Sequence, residues 1–305
     1  MSSHKSANLT ISNRGDNMTG TGTQADPYIC ETWEELTSVS TAKTVYIQMA
    51  ESLIFDFNEI QPRGFDSRVN LSGQIDFNGC IFRNFYSTAV QAVYVISGSS
   101  WENLTFDNFL HEVSSSSSSQ NVGFLCTDSG SSALQISNCK FYGKVNYGIY
   151  STKNAIVFYS WNYNILQFEQ CGFNVECACT SGIFSFFKMD FVKDCNIKLK
   201  VVSATANIVQ SHSSSNVQKV YNCLITGKIT VTDTSSNILC GAALSGYNVF
   251  KIETNAPLNY AGNGISVFDS DLSPDTTGGE NFAGCTTTQL KNAEYLYSVG
   301  FPCYW

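Results

Sequence analysis

The feature that most constrains the fold is a short segment that recurs about every 28 residues along the chain. Each copy is an alternating apolar run followed by a polar turn residue and a cysteine, and the five copies end at Cys80, Cys139, Cys171, Cys195 and Cys223. The segment 104–109 fits the same frame, with Phe109 in the cysteine position. A second series, in which Gly or Asn precedes an apolar run, interleaves with the first at 123, 148, 182, 207, 237 and 264. Two series with one period predict a repeat architecture.

The repeated segments have the pattern of β-strands. They are short, rich in β-branched and aromatic residues, and alternate with period two, while Gly, Asn, Asp and Ser lie between them. Helical spacing is scarce in these segments, which disfavours ankyrin and leucine-rich repeats. We therefore predict an all-β protein, a parallel β-helix of about seven coils with two or three strands per coil.

The twelve cysteines allow two readings, a disulfide framework or buried thiols. The first nine residues are polar and contain no apolar signal segment, which favours a reducing compartment. In a β-helix, equivalent inward positions stack about 4.8 Å apart. The five repeat cysteines are therefore predicted to form an internal row of thiols, with Asn138, Asp194 and Asn222 in left-handed turns before them.

The ends of the chain differ from its repetitive middle. We predict an N-terminal arm or anchor, a β-helix that includes an N-terminal cap, and a C-terminal cap, at residues 1–19, 20–277 and 278–305. Thr32 and Glu35 form a capping-box pattern, so a short helix at 32–40 is expected to cover the first coil. A second short helix is expected at 286–296, and the C-terminal aromatics behind it are Phe301, Tyr304 and Trp305. The six serines at 114–119 predict a loop that protrudes from one coil.

Charge excludes two classes of partner. Only 14% of the residues are charged, and 17 Lys and Arg against 25 Asp and Glu give a net charge of -8. This balance predicts no basic surface for nucleic acid and no attraction to anionic membranes. No apolar stretch reaches the length of a membrane-spanning helix, so membrane insertion is not expected.

Catalysis of polysaccharide cleavage would require paired carboxylates. Asp269 and Asp271 are the first candidates, because i, i+2 spacing places both on one face of a strand. A second possible cluster contains Glu169, Asp190 and Asp194, and the basic residue of a lyase could come from Lys188 or Lys193. Asp269 and Asp271 also suit a turn, where Asp is common. No catalytic residue is therefore predicted unless the protein is an enzyme, in which case Asp269 and Asp271 are the candidates.

Metal and ligand binding give weaker patterns. Cys177-Ala-Cys179 has no second cysteine pair of zinc-site spacing, and the chain has only three histidines, so neither a metal site nor a cofactor is predicted. Tyr159, Trp161 and Tyr163 form an aromatic cluster in a long repeat step. These three are the candidate binding residues, as a protein interface or a sugar platform, with buried packing as the alternative.

Several short blocks resemble pectate-lyase-like β-helix proteins of bacteriophages and prophages. The blocks are Gly22–Glu34 with its Asp26-Pro27-Tyr28, Ile75-Asp-Phe-Asn-Gly79, and Gly300-Phe-Pro302 with Trp305. The resemblance implies a right-handed coil and a homotrimeric virion component such as a tail spike, a fibre or a capsid appendage. It also implies assembly in the host cytoplasm, which fits the lack of a signal peptide. One departure is that only about twenty residues precede the coils, where tail spikes usually carry a sizeable particle-binding domain.

The resulting expectation is a rigid virion appendage or decoration protein. Its N-terminal arm would contact other virion proteins, and its loops would contact the particle or a host-surface glycan. Two alternatives remain open: a tail-spike hydrolase or lyase that degrades polysaccharide, and a non-catalytic glycan- or receptor-binding protein.

Overall fold

The predicted β-helix is confirmed. A computed structural model describes residues 5–6, 18–115, 121–149, 155–160, 166–209, 218–235, 238, 242–244, 247–258, 266–274, 276 and 282–298. The strands among these residues pair in parallel, and those in the middle of the solenoid pair with their equivalents one coil earlier and one coil later. The chain is thus an all-β parallel solenoid.

The strands, in chain order, are β1 Lys5–Ser6, β2 Tyr28–Cys30, β3 Thr41–Met49, β4 Leu53–Asp56, β5 Val69–Asn70, β6 Ser72–Asp76, β7 Ile81–Arg83, β8 Tyr86–Ser87, β9 Gln91–Val95, β10 Ser100–Glu102, β11 Thr105–Ser115, β12 Gly123–Thr127, β13 Leu134–Ser137, β14 Lys140–Ile149, β15 Ala155–Ser160, β16 Leu166–Glu169, β17 Gly172–Lys188, β18 Phe191–Lys193, β19 Asn196–Val209, β20 Gln218–Tyr221, β21 Leu224–Val231, β22 Ala242–Leu244, β23 Asn248–Thr254, β24 Ser266–Asp269 and β25 Phe282–Cys285. The helices are α1 Trp33–Val39, α2 Phe57–Ile60, a 3₁₀ turn at Gln289–Lys291 and α3 Ala293–Ser298.

Each coil has up to three faces. The broad face consists of β1, β4, β7, β11, β14, the first halves of β17 and of β19, and then β21, β23, β24 and β25. The second face runs from β2 and β3 through β6, β10, β13, β16, β18 and β20 to β22. The third face contains β5, β9, β12, β15 and the last residues of β17 and β19. About six coils show all three faces within the described residues, close to the seven expected.

The turn between the second and broad faces carries the cysteine row. Asn138, Asp194 and Asn222 have φ of 49°, 53° and 53°, the left-handed conformation predicted for them. The five repeat cysteines that follow these turns are buried. Turn side chains also bond between coils, as where the amide of Asn222 donates to Asp194 Oδ1 at 3.0 Å. The repeat therefore stacks its turns as well as its strands.

Two positions in the predicted register were wrong. Thr105 pairs with both Ile81 and Lys140, so Leu104 rather than Phe109 stands between Cys80 and Cys139 in the row. Gly148 lies at the end of β14 on the broad face, and the third-face strand of that coil is β15. At 104–109 a bulge in β11 put the sequence pattern out of step with the coils, and at Gly148 the long strand β14 did so.

Aromatic rings fill the interior. On the inner side of the broad face, Phe106, Phe141 and Phe173 stack at centroid separations of 5.6 and 5.4 Å. Rings from the other faces, such as Phe158 and Phe168, pack edge-on against this column. Offset and edge-to-face contacts are the arrangements that aromatic pairs prefer, so the core is specific as well as apolar.

The predicted N-terminal cap is confirmed as α1. The hydroxyl of Thr32 accepts from the Glu35 amide at 3.1 Å, and the Glu35 carboxylate accepts from the Thr32 amide at 3.1 Å. Lys5–Ser6, within the predicted arm, pairs with Leu53–Ile54 of β4.

The predicted C-terminal helix is broken at Asn292 into a 3₁₀ turn and α3, although Leu290 and Leu296 are both buried as expected. The serine loop was predicted at 114–119, but Ser114 and Ser115 are the last residues of β11. The rest of that loop, 116–119, and the C-terminal aromatics Phe301, Tyr304 and Trp305 lie outside the described residues.

The thiol row gives a direct prediction. The ten cysteines among the described residues are free and buried, and burial raises the pKa of Cys80 and Cys139 to about 12. Thiolate is the reactive form, so Cys80 and Cys139 should not react with a thiol reagent in the folded protein at pH 8. Unfolding in guanidinium without reductant should expose nearly all twelve. Recovery of few thiols after unfolding would show that the cysteines are paired as disulfides.

Candidate functional site

The two candidate catalytic carboxylates lie in the turn after β24. Asp269 is fully buried, and its carboxylate accepts from the Thr287 hydroxyl at 2.8 and 3.0 Å and from the Asp271 amide at 3.1 Å. Asp271 accepts from the Thr287 backbone amide at 2.8 Å. Both carboxylates therefore bind the segment that follows β25. This arrangement fastens the C-terminal segment to the last coils.

The second group of carboxylates does not converge on one site. Glu169 accepts from Lys193 Nζ at 2.6 Å, and Asp194 lies 3.5 Å from the same ammonium. Asp190 instead accepts from the Gln167 amide at 2.8 Å. These contacts join neighbouring coils along the second face and the adjoining turn, where exposed ion pairs contribute little to stability.

Tyr159 is the only candidate binding aromatic among the described residues, since Trp161 and Tyr163 lie outside them. Its side chain is fully buried on the third face. The ammonium of Lys188, its register partner, lies 4.8 Å from the centre of its ring. The placement of Tyr159 agrees with the packing alternative, and a binding role for the three aromatics stays a prediction.

Lys188 is a buried cation rather than an edge residue. Only 6% of it is exposed, and burial lowers its pKa to about 8. Lys188 and Tyr159 lie in one register column of the third face, which Cys126 and Tyr94 continue in earlier coils. At the other end of this column, the Arg68 guanidinium lies 4.2 Å from the Tyr94 ring centre. A cation thus contacts an aromatic ring at each end of the column, a favourable arrangement.

His111 is the buried histidine that sequence reasoning passed over. Its Nε2 lies 2.7 Å from the Ala89 carbonyl oxygen and its Nδ1 3.0 Å from the Tyr147 hydroxyl. A carbonyl only accepts, so Nε2 carries the proton and Nδ1 accepts from Tyr147. Complete burial lowers the pKa of His111 to about 4, which keeps the ring neutral. The ring is a fully buried core group.

The most distinctive exposed feature is a group of lysines on the outer side of the broad face, which we call the lysine face. It spans five consecutive strands, from β14 to β23, and contains Lys140, Lys144, Lys198, Lys200, Lys228 and Lys251 together with Glu176 and Glu253. Six positive charges against two negative ones leave an excess of four on a chain whose net charge is -8. The net charge of the whole chain therefore does not describe this face.

Strand register sets the order of charges on the lysine face. Lys144, Glu176, Lys200, Lys228 and Glu253 occupy one column, in successive coils. Glu176 contacts Lys144 at 3.3 Å and Lys200 at 3.6 Å, and Glu253 pairs with Lys228. The hydrogen bond and charge of Lys144 lower the pKa of Glu176, which keeps this carboxylate ionised.

The neighbouring column has no such compensation. Lys198 and Lys251 lie in it on either side of Thr226, and Tyr142 and Asn174 precede them in earlier coils. The six ion pairs found within the described residues include neither Lys198, Lys251 nor Lys140. Three ammonium groups are thus available to an external anion.

Two other kinds of site were sought in the described part of the chain. It contains no group of three or more His, Cys, Asp or Glu side chains arranged to hold a metal ion. None of its helices is long and apolar enough to cross a membrane.

Comparison with known proteins supports the fold alone. No protein-family model matches the sequence, and no curated protein matches it significantly. Among solved structures, the chain is similar to a Bacteroides ovatus protein described as "a putative immunoglobulin A1 protease", with 13% identity and a TM-score of 0.52. The match covers 92% of this chain and 89% of that protein. At this identity the similarity concerns the β-solenoid and not the activity.

Proposed function

We propose that this protein is a rigid, non-catalytic appendage of a phage particle, which holds a contact surface away from the particle. The observation that supports this proposal is the uninterrupted stacking of the solenoid. Parallel strand pairing continues from coil to coil along the broad face, and stacked side chains such as Phe106, Phe141 and Phe173 add to it, so bending would break contacts between coils. Stiffness of this kind suits a spacer that transmits force between two attachments.

The setting follows the sequence resemblance. We propose that the chain folds in the host cytoplasm, where the particle assembles, becomes a homotrimer and attaches to other virion proteins through residues 1–19. The free, buried thiols are compatible with folding in a reducing compartment. A contact with a host-surface glycan is part of the same proposal.

The enzyme alternative has less support. A hydrolase needs two carboxylates that face substrate, whereas Asp269 is buried and both Asp269 and Asp271 bind Thr287. If these residues were catalytic, the wild-type protein would cleave a host capsule and the Asp271→Asn variant would not. We expect no cleavage by either protein.

Particle association is the measurement that tests the appendage proposal. We expect an epitope-tagged chain to sediment with intact particles in a density gradient and to label their surface in immunogold electron microscopy. A chain found only in the soluble lysate would contradict the proposal. Light scattering of the purified protein tests the trimer separately, and a stable monomer would exclude it.

A further inference from the structure

We infer that the lysine face binds a linear acidic polysaccharide that lies along the solenoid axis and carries carboxylates. This inference adds a ligand to the proposed rod, and it stands whether or not the rod belongs to a particle. The argument uses the charge excess, the spacing of the lysines and the chemistry of the side chains between them.

The charge excess is not explained by stability. Lys200 and Lys228 are direct register partners on adjacent strands, and like charges in that relation are destabilising. Glu176 and Glu253 offset part of this repulsion but leave Lys140, Lys198 and Lys251 without acidic partners among the described residues. A face that served only as a solvated surface would gain from mixed charges, so its positive excess points to an anionic ligand.

Acidic side chains at the N-terminal border of the lysine face do not neutralise its positive charge. On the preceding strand, β11, Asp107 pairs with Arg83 at 3.2 Å. Glu112 on the same strand accepts from the Tyr86 hydroxyl at 3.3 Å and from the Asn146 amide at 2.9 Å. The positive potential is therefore concentrated from β14 to β23, where five of the six lysines are exposed and Lys251 is half-buried.

The spacing of the charges suits a sparsely charged polymer. Five parallel strands span about 19 Å at about 4.8 Å per strand, so four excess charges correspond to roughly one per 5 Å. Duplex DNA carries one charge per about 1.7 Å and demands a far denser basic surface. Lys198 and Lys251 lie two strands apart, about 10 Å, which suits carboxylates on alternate sugars of an extended chain.

The side chains also favour a sugar polymer over a polyphosphate. The lysine face contains no arginine, the residue that binds phosphate in bidentate fashion, and Tyr142 is its one aromatic within the described strands. Asn174, Asn196 and Thr226 lie between the lysines and offer amides and a hydroxyl to sugar hydroxyls. Next to them, Gly172 has no side chain beside Tyr142, whose hydroxyl would be in ordinary contact, at 3.5 Å, with an added Cβ.

Binding to defined polymers tests the inference. Fluorescently labelled hyaluronate, with carboxylates on alternate sugars, would be titrated with the full chain at low ionic strength and followed by anisotropy. We expect binding that weakens steeply with added salt, because the contacts are between exposed charges. Unlabelled alginate should compete, whereas neutral dextran should not.

Paired variants locate the binding surface. Lys198→Gln with Lys251→Gln should weaken binding about tenfold, as roughly threefold per exposed ion pair. The control is Lys219→Gln with Lys291→Gln, which removes the same charge from outside the lysine face and should change affinity less than about twofold. All four side chains are exposed or half-buried, so both variants should unfold at the wild-type temperature.

Four outcomes would overturn the inference. They are absence of binding to both hyaluronate and alginate, equal losses in the two variants, competition by dextran, and stronger binding of a DNA duplex than of either polysaccharide. None of these outcomes bears on whether the chain sediments with particles, so the appendage proposal would be judged separately.

Discussion

Replacing Gly227 by alanine is expected to destabilise the solenoid by about 3 kcal/mol or more. Gly227 lies in β21 with φ of 128°, a conformation that residues with a side chain rarely adopt. A Cβ built there would lie 1.7 Å from the Leu199 carbonyl oxygen on the neighbouring strand. Backbone atoms cannot move aside as a flexible side chain can, so β19 and β21 would have to separate.

Gly172→Ala is the matched control, since it makes the same substitution on the same face of the solenoid. The nearest atom to a Cβ at Gly172 is the Tyr142 hydroxyl, 3.5 Å away, which is ordinary contact. Its effect should be within about 1 kcal/mol, as expected for glycine to alanine at an unstrained strand position. Urea unfolding followed by far-ultraviolet circular dichroism measures both variants. Equal midpoints for the two would show that the close approach of β19 and β21 is not required.

The cysteine row shows how much of this fold the sequence predicts. A left-handed residue and then an inward small residue occur once per coil, and the repetition revealed both the turns and the thiols. The prediction failed at 104–109 because Leu104 replaces cysteine there. A second left-handed residue, Asn108, lies just before Phe109 and imitates the same signal. The bulge between Asp107 and Phe109 shows which of the two positions belongs to the cysteine row, but it is visible only in the structure.

The lysine face was missed although the sequence contains its signal. The residues five positions after Cys139, Cys171, Cys195 and Cys223 are Lys144, Glu176, Lys200 and Lys228. Since parallel register carries equal offsets into one column, the cysteine row already fixes their order on the surface. Net charge concealed this pattern, because a sum over the whole chain does not depend on where the fold places each charge.

Other placements could not be predicted from the repeat. Lys188 lies in a charged sequence context that is typical of an exposed strand edge, and its burial depends on what packs on the third face. Asp269 has the sequence context of a solvated turn, yet Thr287, 18 residues later, supplies its hydrogen bonds. Both cases depend on contacts between segments that carry no shared period.

Acidification from pH 7 to pH 4 is expected to weaken the folded protein by about 3 kcal/mol through His111 alone. Burial lowers the pKa of His111 from its ordinary value of 6.5 to about 4. Between these values the unfolded chain binds a proton that the folded chain excludes. The stabilisation is therefore complete above pH 6.5 and is lost as the pH falls towards 4.

His111→Gln isolates this contribution. Glutamine can still donate to the Ala89 carbonyl, but it does not titrate, so the variant should be less stable than wild type at pH 7 and should lose less stability on acidification. Carboxylates titrate in both proteins and cancel in the difference between their urea midpoints. That difference should shrink as the pH falls from 6.5 to 4, because only the unfolded wild-type chain has an imidazole that gains a proton in this range, and the folded state excludes that proton. Parallel midpoint curves for the two proteins would show that the imidazole can be protonated in place and that burial does not hold the ring neutral.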